Sequence, residues 1–325
     1  MPSEKKKTIK ERLHPRNKNR ERYDLKALIE VSPELANHVK PNKYGDDSVD
    51  FSNPDVVRML NTALLNYSYG IKHWLFPVDN LCPAIPGRAD YVHYAADLLG
   101  EYGEIPKGDQ ITVFDIGVGA SCIYPIIGVT EYDWNFIGSD IDQKSIDSAL
   151  NIVQSNPSLK GKIEVKLQGS TRDIFFGVIS KEDKIDLAIC NPPFNASAEE
   201  ALSGSKRKVK NLTGKKTDSP ELNFAGISNE LITEGGESMF IKNMIKESVK
   251  FSHNFYWFTT LVSKQSNLKA VYNLLDNYST KEVKTTPMGT GNKSSRIVAW
   301  TFLSEEEQAA WRESRWNVAQ KLYSD

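Results

Sequence analysis

From residue 111 onward the chain alternates short, continuous apolar runs with intervals long enough to hold a helix. The runs are ITVFDIG (111–117), NFIGSD (135–140), KIEVKLQ (162–168), KIDLAICN (184–191) and NFYWFTTLV (254–262). A run without polar alternation reads as a strand covered on both faces, the habit of parallel sheets. Strands that alternate with helices predict an α/β chain built on a doubly wound, mostly parallel sheet. Helices are expected over 24–36, 54–69, 88–100, about 236–251 and about 265–277. Asn53 is placed to cap the second of these, with Pro54 at its first position. Two late strands, about 280–285 and 295–303, read as a terminal hairpin-like pair. The aromatic run Phe255-Tyr256-Trp257-Phe258 reads as a buried central strand rather than a stacking platform.

The chain has 325 residues, enough for a sizeable core. It contains no stretch of about 18 apolar residues, so no membrane span is expected. The first residues lack the apolar core of a secretory signal. Cys82, Cys122 and Cys190 have no metal-like spacing, so no metal and a reducing cytoplasm are expected. The five histidines form no evident triad, and none is assigned a catalytic role. The net charge of −1 hides an asymmetry. Residues 1–22 carry nine Lys or Arg against three Glu, and 204–216 carry six cations and no acid. Either run by itself could be solvated charge. Together, on a mildly acidic body, they read as arms that reach for a polyanion. The cations expected to bind it are Lys5, Lys6, Lys7, Arg12, Arg16, Lys18 and Arg20 in the first run. In the second they are Lys206, Arg207, Lys208, Lys210, Lys215 and Lys216.

The first strand ends Asp115-Ile116-Gly117-Val118-Gly119 and the second ends Gly138-Ser139-Asp140. In an open α/β sheet a ligand binds beyond the carboxyl ends of the strands. Asp115, Gly117 and Gly119 are expected to contact it, the two glycines letting the backbone turn tightly and approach. Asp140 is placed to accept from two ribose hydroxyls. The full dinucleotide fingerprint is absent, which favours a nucleoside without a pyrophosphate, S-adenosylmethionine being the commonest.

The fourth strand ends in Asn191-Pro192-Pro193-Phe194. Two prolines fix φ and donate no hydrogen bond, so they hold a rigid turn beside the Asn side-chain carbonyl. Two acceptors suit an amino group with two hydrogens, and Phe194 can stack on a planar group. Adenine, guanine and a glutamine amide all present such an amine.

D-I-G-x-G together with N-P-P-F resembles the class I S-adenosylmethionine-dependent amino-group methyltransferases. The longer string DIGVGASCIYPIIG followed by CNPPF resembles the adenine-N6 methyltransferases that act on structured RNA. VDFSNPDVVRMLNTALL, CPAIPGRADYVHYAADLL, ITEGGESMFIKNMIKES and SSRIVAWTF extend the resemblance over nearly the whole chain. The lack of a long C-terminal extension favours the bacterial 23S ribosomal RNA type over the animal type. The resemblance implies Gly117, Ser121 and Asp140 at the cofactor, Arg88 at its methionine carboxylate and Thr171 near its adenine. It implies Asn191, Pro192, Pro193 and Phe194 as the catalytic tetrad. The expected organisation is a flexible basic arm over 1–23 and a helical region over 24–105 packed on the core. A methyltransferase domain follows over 106–305 with a basic loop at 195–235, then a helical tail over 306–325. Expected partners are ribosomal RNA or a large-subunit assembly particle, met by a monomer. A protein-glutamine or guanine-N2 RNA methyltransferase and a non-catalytic RNA-binding assembly factor are the competing readings.

Overall fold

The structure, a computed structural model, describes residues 13–195, 233–290 and 293–316. The basic segments 1–12 and 204–216, with Lys5, Lys6, Lys7, Arg12 and the six cations of the internal run, lie outside the described residues.

The first helix, α1, spans Leu25–Val31, capped by the Asp24 side chain. It stops short of the expected 36 because Pro33 cannot continue it, and a 3-10 turn over Pro33–His38 follows. Two short antiparallel strands, β1 (Val39–Pro41) and β2 (Asp47–Val49), come next. Helix α2 (Pro54–Tyr69) has the expected bounds, with the Asn53 side chain accepting from the amides of Asp55 and Val56. Helix α3 (Ile85–Leu99) begins three residues before the expected start; Pro86 sits in its first turn, where a missing N–H costs nothing.

Seven strands form the main sheet: β3 (Thr112–Ile116), β4 (Asn135–Asp140), β5 (Ile163–Leu167), β6 (Ile185–Cys190), β7 (Phe255–Val262), β8 (Glu282–Thr290) and β9 (Lys293–Thr301). Their order is β5-β4-β3-β6-β7-β9-β8. All pairs are parallel except those of β9, which runs antiparallel to β7 and β8. The chain leaves β3 for β4 on one side and returns to β6 on the other. The crevice between the carboxyl ends of β3 and β6 is therefore the switch point where such sheets bind ligands.

Helices cover both faces, as the apolar strands require. Alongside α3, helices α4 (Ile123–Tyr132) and α5 (Gln143–Ser155) join a core that holds Trp134, Phe136, Tyr256 and Trp257. On the other face α6 (Gly236–Ser248) and α7 (Leu268–Asn277) pack on Phe114, Phe175, Phe255, Phe258 and Trp300. Every residue of β6 and β7 is buried, which bears out the reading of the aromatic run. No helix among the described residues is long and apolar enough to cross a membrane.

Several expectations need correction. The arm drawn over 1–23 is not free from residue 13 onward. Leu13 and His14 are buried. The His14 amide donates to Asp90 at 3.0 Å, and its Nε2 lies 2.8 Å from Asp97. Within the region drawn over 24–105, α3 lies in the same core as the sheet, while Leu28, Leu35, Val56, Leu60 and their neighbours form a cluster of their own. The tail is likewise fastened. In α8 (Glu305–Arg315) and just after it, the indoles of Trp311 and Trp316 both donate to Asp186 at 2.7 Å, and Arg315 reaches the same carboxylate at 3.0 Å. The crossover from β5 to β6 contains no helix. Its backbone is held by Glu247 of α6, which accepts from the amides of Ile174, Phe175 and Phe176 at 2.7–3.1 Å.

Candidate active site

The loop after β3 turns on two glycines with positive φ, Gly117 at 74° and Gly119 at 64°. A Cβ at Gly117 would meet nothing, so the glycine is there for its backbone conformation. The amides of Gly117 and Val118 both donate to the carbonyl of Ser139 at 2.9 Å, which draws the loop over the end of β4. The Gly119 amide donates to Asp140 Oδ2 at 3.0 Å, and the Asp142 amide to Oδ1 at 3.0 Å. Asp140 is thereby fixed at the wall of a cavity of about 1450 Å³. The Trp74 indole donates to the Ser121 carbonyl at 2.7 Å, and Ser148 Oγ to the Ala120 carbonyl at 2.9 Å, so the far side of the loop is pinned too.

Of the residues expected at the cofactor, Arg88, Gly117, Gly119, Ser121, Asp140 and Thr171 all line this one cavity. Asp115 does not; it is fully buried behind the loop, and neither carboxylate oxygen has a hydrogen-bond partner among the described residues. Burial pushes its carboxyl well above the usual carboxylate range; Arg88 opposes this and Asp140 adds to it. The Arg88 guanidinium donates to the Tyr124 hydroxyl at 2.6 Å. These groups fit a zwitterionic nucleoside. Asp140 suits a diol and Arg88 a carboxylate, while the orphaned Asp115 carboxyl lies behind the loop. Exposed Ile141, beside Asp140, adds an apolar surface for a base.

Asn191 and Pro193 line the same cavity. The Asn191 side-chain oxygen is buried and has no hydrogen-bond partner among the described residues. Pro192 is buried, and Phe194 is partly buried. The tetrad begins where two strands part. β6 pairs with β7 as far as Ala188 and Phe258, while β6 stays paired with β3 through Cys190. Beyond Ala188 the hydroxyl of Tyr91, from α3, stands in for the missing partner. It accepts from the Cys190 amide at 3.1 Å and lies 2.8 Å from Thr259 Oγ1, which donates to the Ala188 carbonyl at 2.7 Å. Tyr91 is fully buried and meets Tyr124 edge-on at 5.4 Å. One helix thus carries both Arg88 at the cofactor end and Tyr91 beneath the tetrad. Tyr91 and Tyr124 were missed in the sequence. The signal for Tyr91 was its place one helical turn after Arg88, on the same face.

The cations of the first basic run that fall among the described residues are engaged within the chain. Arg16 donates to Tyr132 at 2.9 Å and pairs with Asp97 at 2.7 Å; Lys18 pairs with Glu131 at 2.8 Å and lies over the Tyr69 ring. The Arg20 Nε is buried without a hydrogen-bond partner among the described residues, and its charge opposes the rise that burial imposes on the Asp90 carboxyl. No group of three or more potential metal ligands occurs among the described residues.

Residues 7–304 match the family described as RNA methyltransferase. The chain is 54% identical over 309 residues to the ribosomal RNA large subunit methyltransferase F of Cytophaga hutchinsonii, covering 94% of this chain and 96% of that protein. To the protein of that name from Serratia proteamaculans it is 49% identical over 319 residues, 96% and 95% of the two chains. The human METTL16 catalytic domain solved with the MAT2A 3′UTR hairpin 1 aligns with a TM-score of 0.77 at 28% identity, covering 90% of this chain and 96% of that one. The N-terminal domain of human METTL16 in complex with SAH aligns at 0.71 and 26% identity, covering 90% and 99%. With a family match along almost its whole length, relatives near half identity and a doubly wound sheet whose glycine loop, Asn191 and Pro193 line one cavity, this chain belongs to the RNA methyltransferase family and has the class I methyltransferase fold.

Proposed function

We propose that the chain methylates the N6 amine of one adenine in 23S ribosomal RNA, with S-adenosylmethionine as the methyl donor and S-adenosylhomocysteine as the product. The carrying observation is the buried, unpartnered Asn191 oxygen at the wall of the cavity that also holds the cofactor residues. A buried acceptor left unpaired costs about 1–3 kcal/mol, and an incoming N–H removes that cost. The names of the relatives support large-subunit ribosomal RNA as substrate. The SAH complex of a neighbour supports the cofactor.

S-adenosylmethionine supplies the methyl group. The chain's residues bind and aim. Arg88 takes the carboxylate by paired hydrogen bonds, Asp140 the ribose hydroxyls, and Asp115 balances the positive charge. Asn191 and the Pro192 carbonyl hold the two amine hydrogens, which sets the direction of the nitrogen lone pair, and Phe194 stacks on the base. The base must leave its helix or already be single-stranded to enter. Positioning of this kind supplies several kcal/mol of the barrier. No side-chain base is required before attack, since the amine proton becomes acidic as the N–CH3 bond forms and the S–CH3 bond breaks, and it then leaves to water. The substrate is met as ribosomal RNA or an assembling large subunit, in the cytoplasm, by a monomer.

The test compares 23S ribosomal RNA nucleosides by mass spectrometry from cells with the wild-type gene, the Asn191→Ala gene and no gene. One N6-methyladenosine is expected to disappear in the last two, with S-adenosylmethionine affinity of the purified variant unchanged by calorimetry. Loss of N2-methylguanosine instead, or no change at all, rejects the proposal.

A further inference from the structure

Arg16 and Lys18 are occupied within the chain. A different set of cations is unneutralised. Met239, Asn243, Lys246 and Lys250 recur at helical spacing, so they keep to one side of α6 and the 3-10 turn that continues it. All four are exposed, and all four line the cavity shared with Asn191 and Pro193. Arg172, exposed on the crossover after β5, lines it as well. Arg172, Lys246 and Lys250 form no ion pair and no side-chain hydrogen bond among the described residues.

The carboxylates of the same cavity form no ion pair with them among the described residues. Glu247 accepts three backbone amides of the crossover. Asp142 caps α5 through the amides of Lys144 and Ser145. Asp140 holds the glycine loop. Asp173 and Glu234 also line the cavity, without pairing to any of the three cations. Beside them Phe176 is 47% exposed at the same mouth. Unpaired cations flanking an exposed aromatic ring are the surface that single-stranded nucleic acid uses, phosphates on the charges and a base on the ring.

We infer that Arg172, Lys246 and Lys250 take the phosphates of the nucleotides flanking the target base, with a neighbouring base stacked on Phe176. The inference rests on the proposed RNA substrate and assigns the side of the cavity from which the strand enters. It replaces the N-terminal cations of the described segment as the grip closest to the reacting amine.

The test uses the full chain and in-vitro transcribed 23S ribosomal RNA. The triple variant Arg172→Gln, Lys246→Gln, Lys250→Gln is expected to flatten the slope of log affinity against log salt by roughly 0.7 per contact, about 2 in all. Phe176→Ala is expected to weaken RNA binding by roughly 5- to 150-fold. Lys246→Arg with Lys250→Arg is expected to keep the wild-type slope. Affinity for S-adenosylmethionine and the melting temperature should match wild type in every variant. A triple variant with the wild-type salt slope overturns the inference, and so does one that loses cofactor affinity, since the lysines then serve the cofactor. A wild-type chain that leaves every adenine unmethylated rejects the reading of the activity, and the salt slope still decides the surface.

Discussion

Asp115 is the residue whose placement the motif described least. D-I-G-x-G marked it as a cofactor contact, yet it lies behind the loop rather than at the cavity wall. A pattern of residue types records that a carboxylate belongs here, but not whether it is solvated. Its carboxyl is raised above the ordinary value, chiefly by burial, so the folded chain binds a proton there that the unfolded chain releases. That contribution to stability is fully present below the unfolded value of 3.8 and is lost as pH rises through the folded value. Asp115→Asn should therefore raise the melting temperature of the cofactor-free chain at pH 7.5 and leave it nearly unchanged at pH 3.5. S-adenosylmethionine, being cationic, should drive a proton off Asp115 on binding. Calorimetry in two buffers of different ionisation enthalpy reads that release; equal heats in both would remove Asp115 from the charge balance of the site. Asp140, by contrast, was legible in full, because the end of the second strand has one geometry in this kind of sheet.

Among the elements, the parted ends of β6 and β7 set the geometry of the tetrad, and Tyr91 fills the gap. Tyr91→Phe keeps the ring and deletes the hydroxyl, which leaves the buried Cys190 amide without an acceptor. The expected outcome is a loss of about 1–3 kcal/mol of stability. Turnover should fall with RNA and cofactor affinity unchanged, and hydrogen exchange at the Cys190 amide should quicken. A variant with wild-type turnover would make Tyr91 a packing residue alone. The parallel strands were readable because burial on both faces leaves no polar alternation in them. The crossover after β5 was not: its intervals left room for a helix, and nothing local reveals that Glu247, about 72 residues later, holds its amides instead. Strands β1 and β2, three residues each, are too short to show a period.

Across the whole molecule, both described ends are fastened to the body, the first at Asp90 and Asp97, the last at Asp186. Basic sequence at an N-terminus reads as a free arm, yet cations that find carboxylates on the body become struts, and that pairing is a tertiary fact. Asp186 is fully buried and serves Trp311, Trp316, Arg315 and the Thr112 amide. Asp186→Ala orphans all four donors and should cost about 3–5 kcal/mol in chemical denaturation. The cofactor cavity lies at the opposite end of β6, so affinity for S-adenosylmethionine measured well below the melting point should match wild type. A variant as stable as wild type would mean the tail is held by its apolar contacts alone. The clamp also has a consequence for the order in which the chain is made. Trp311 is synthesised 125 residues after Asp186. At roughly 5–20 residues per second the carboxylate waits about 6–25 s for its partners. The central strand of the sheet thus reaches its final state only after the segment that carries Trp311, Arg315 and Trp316 has been made.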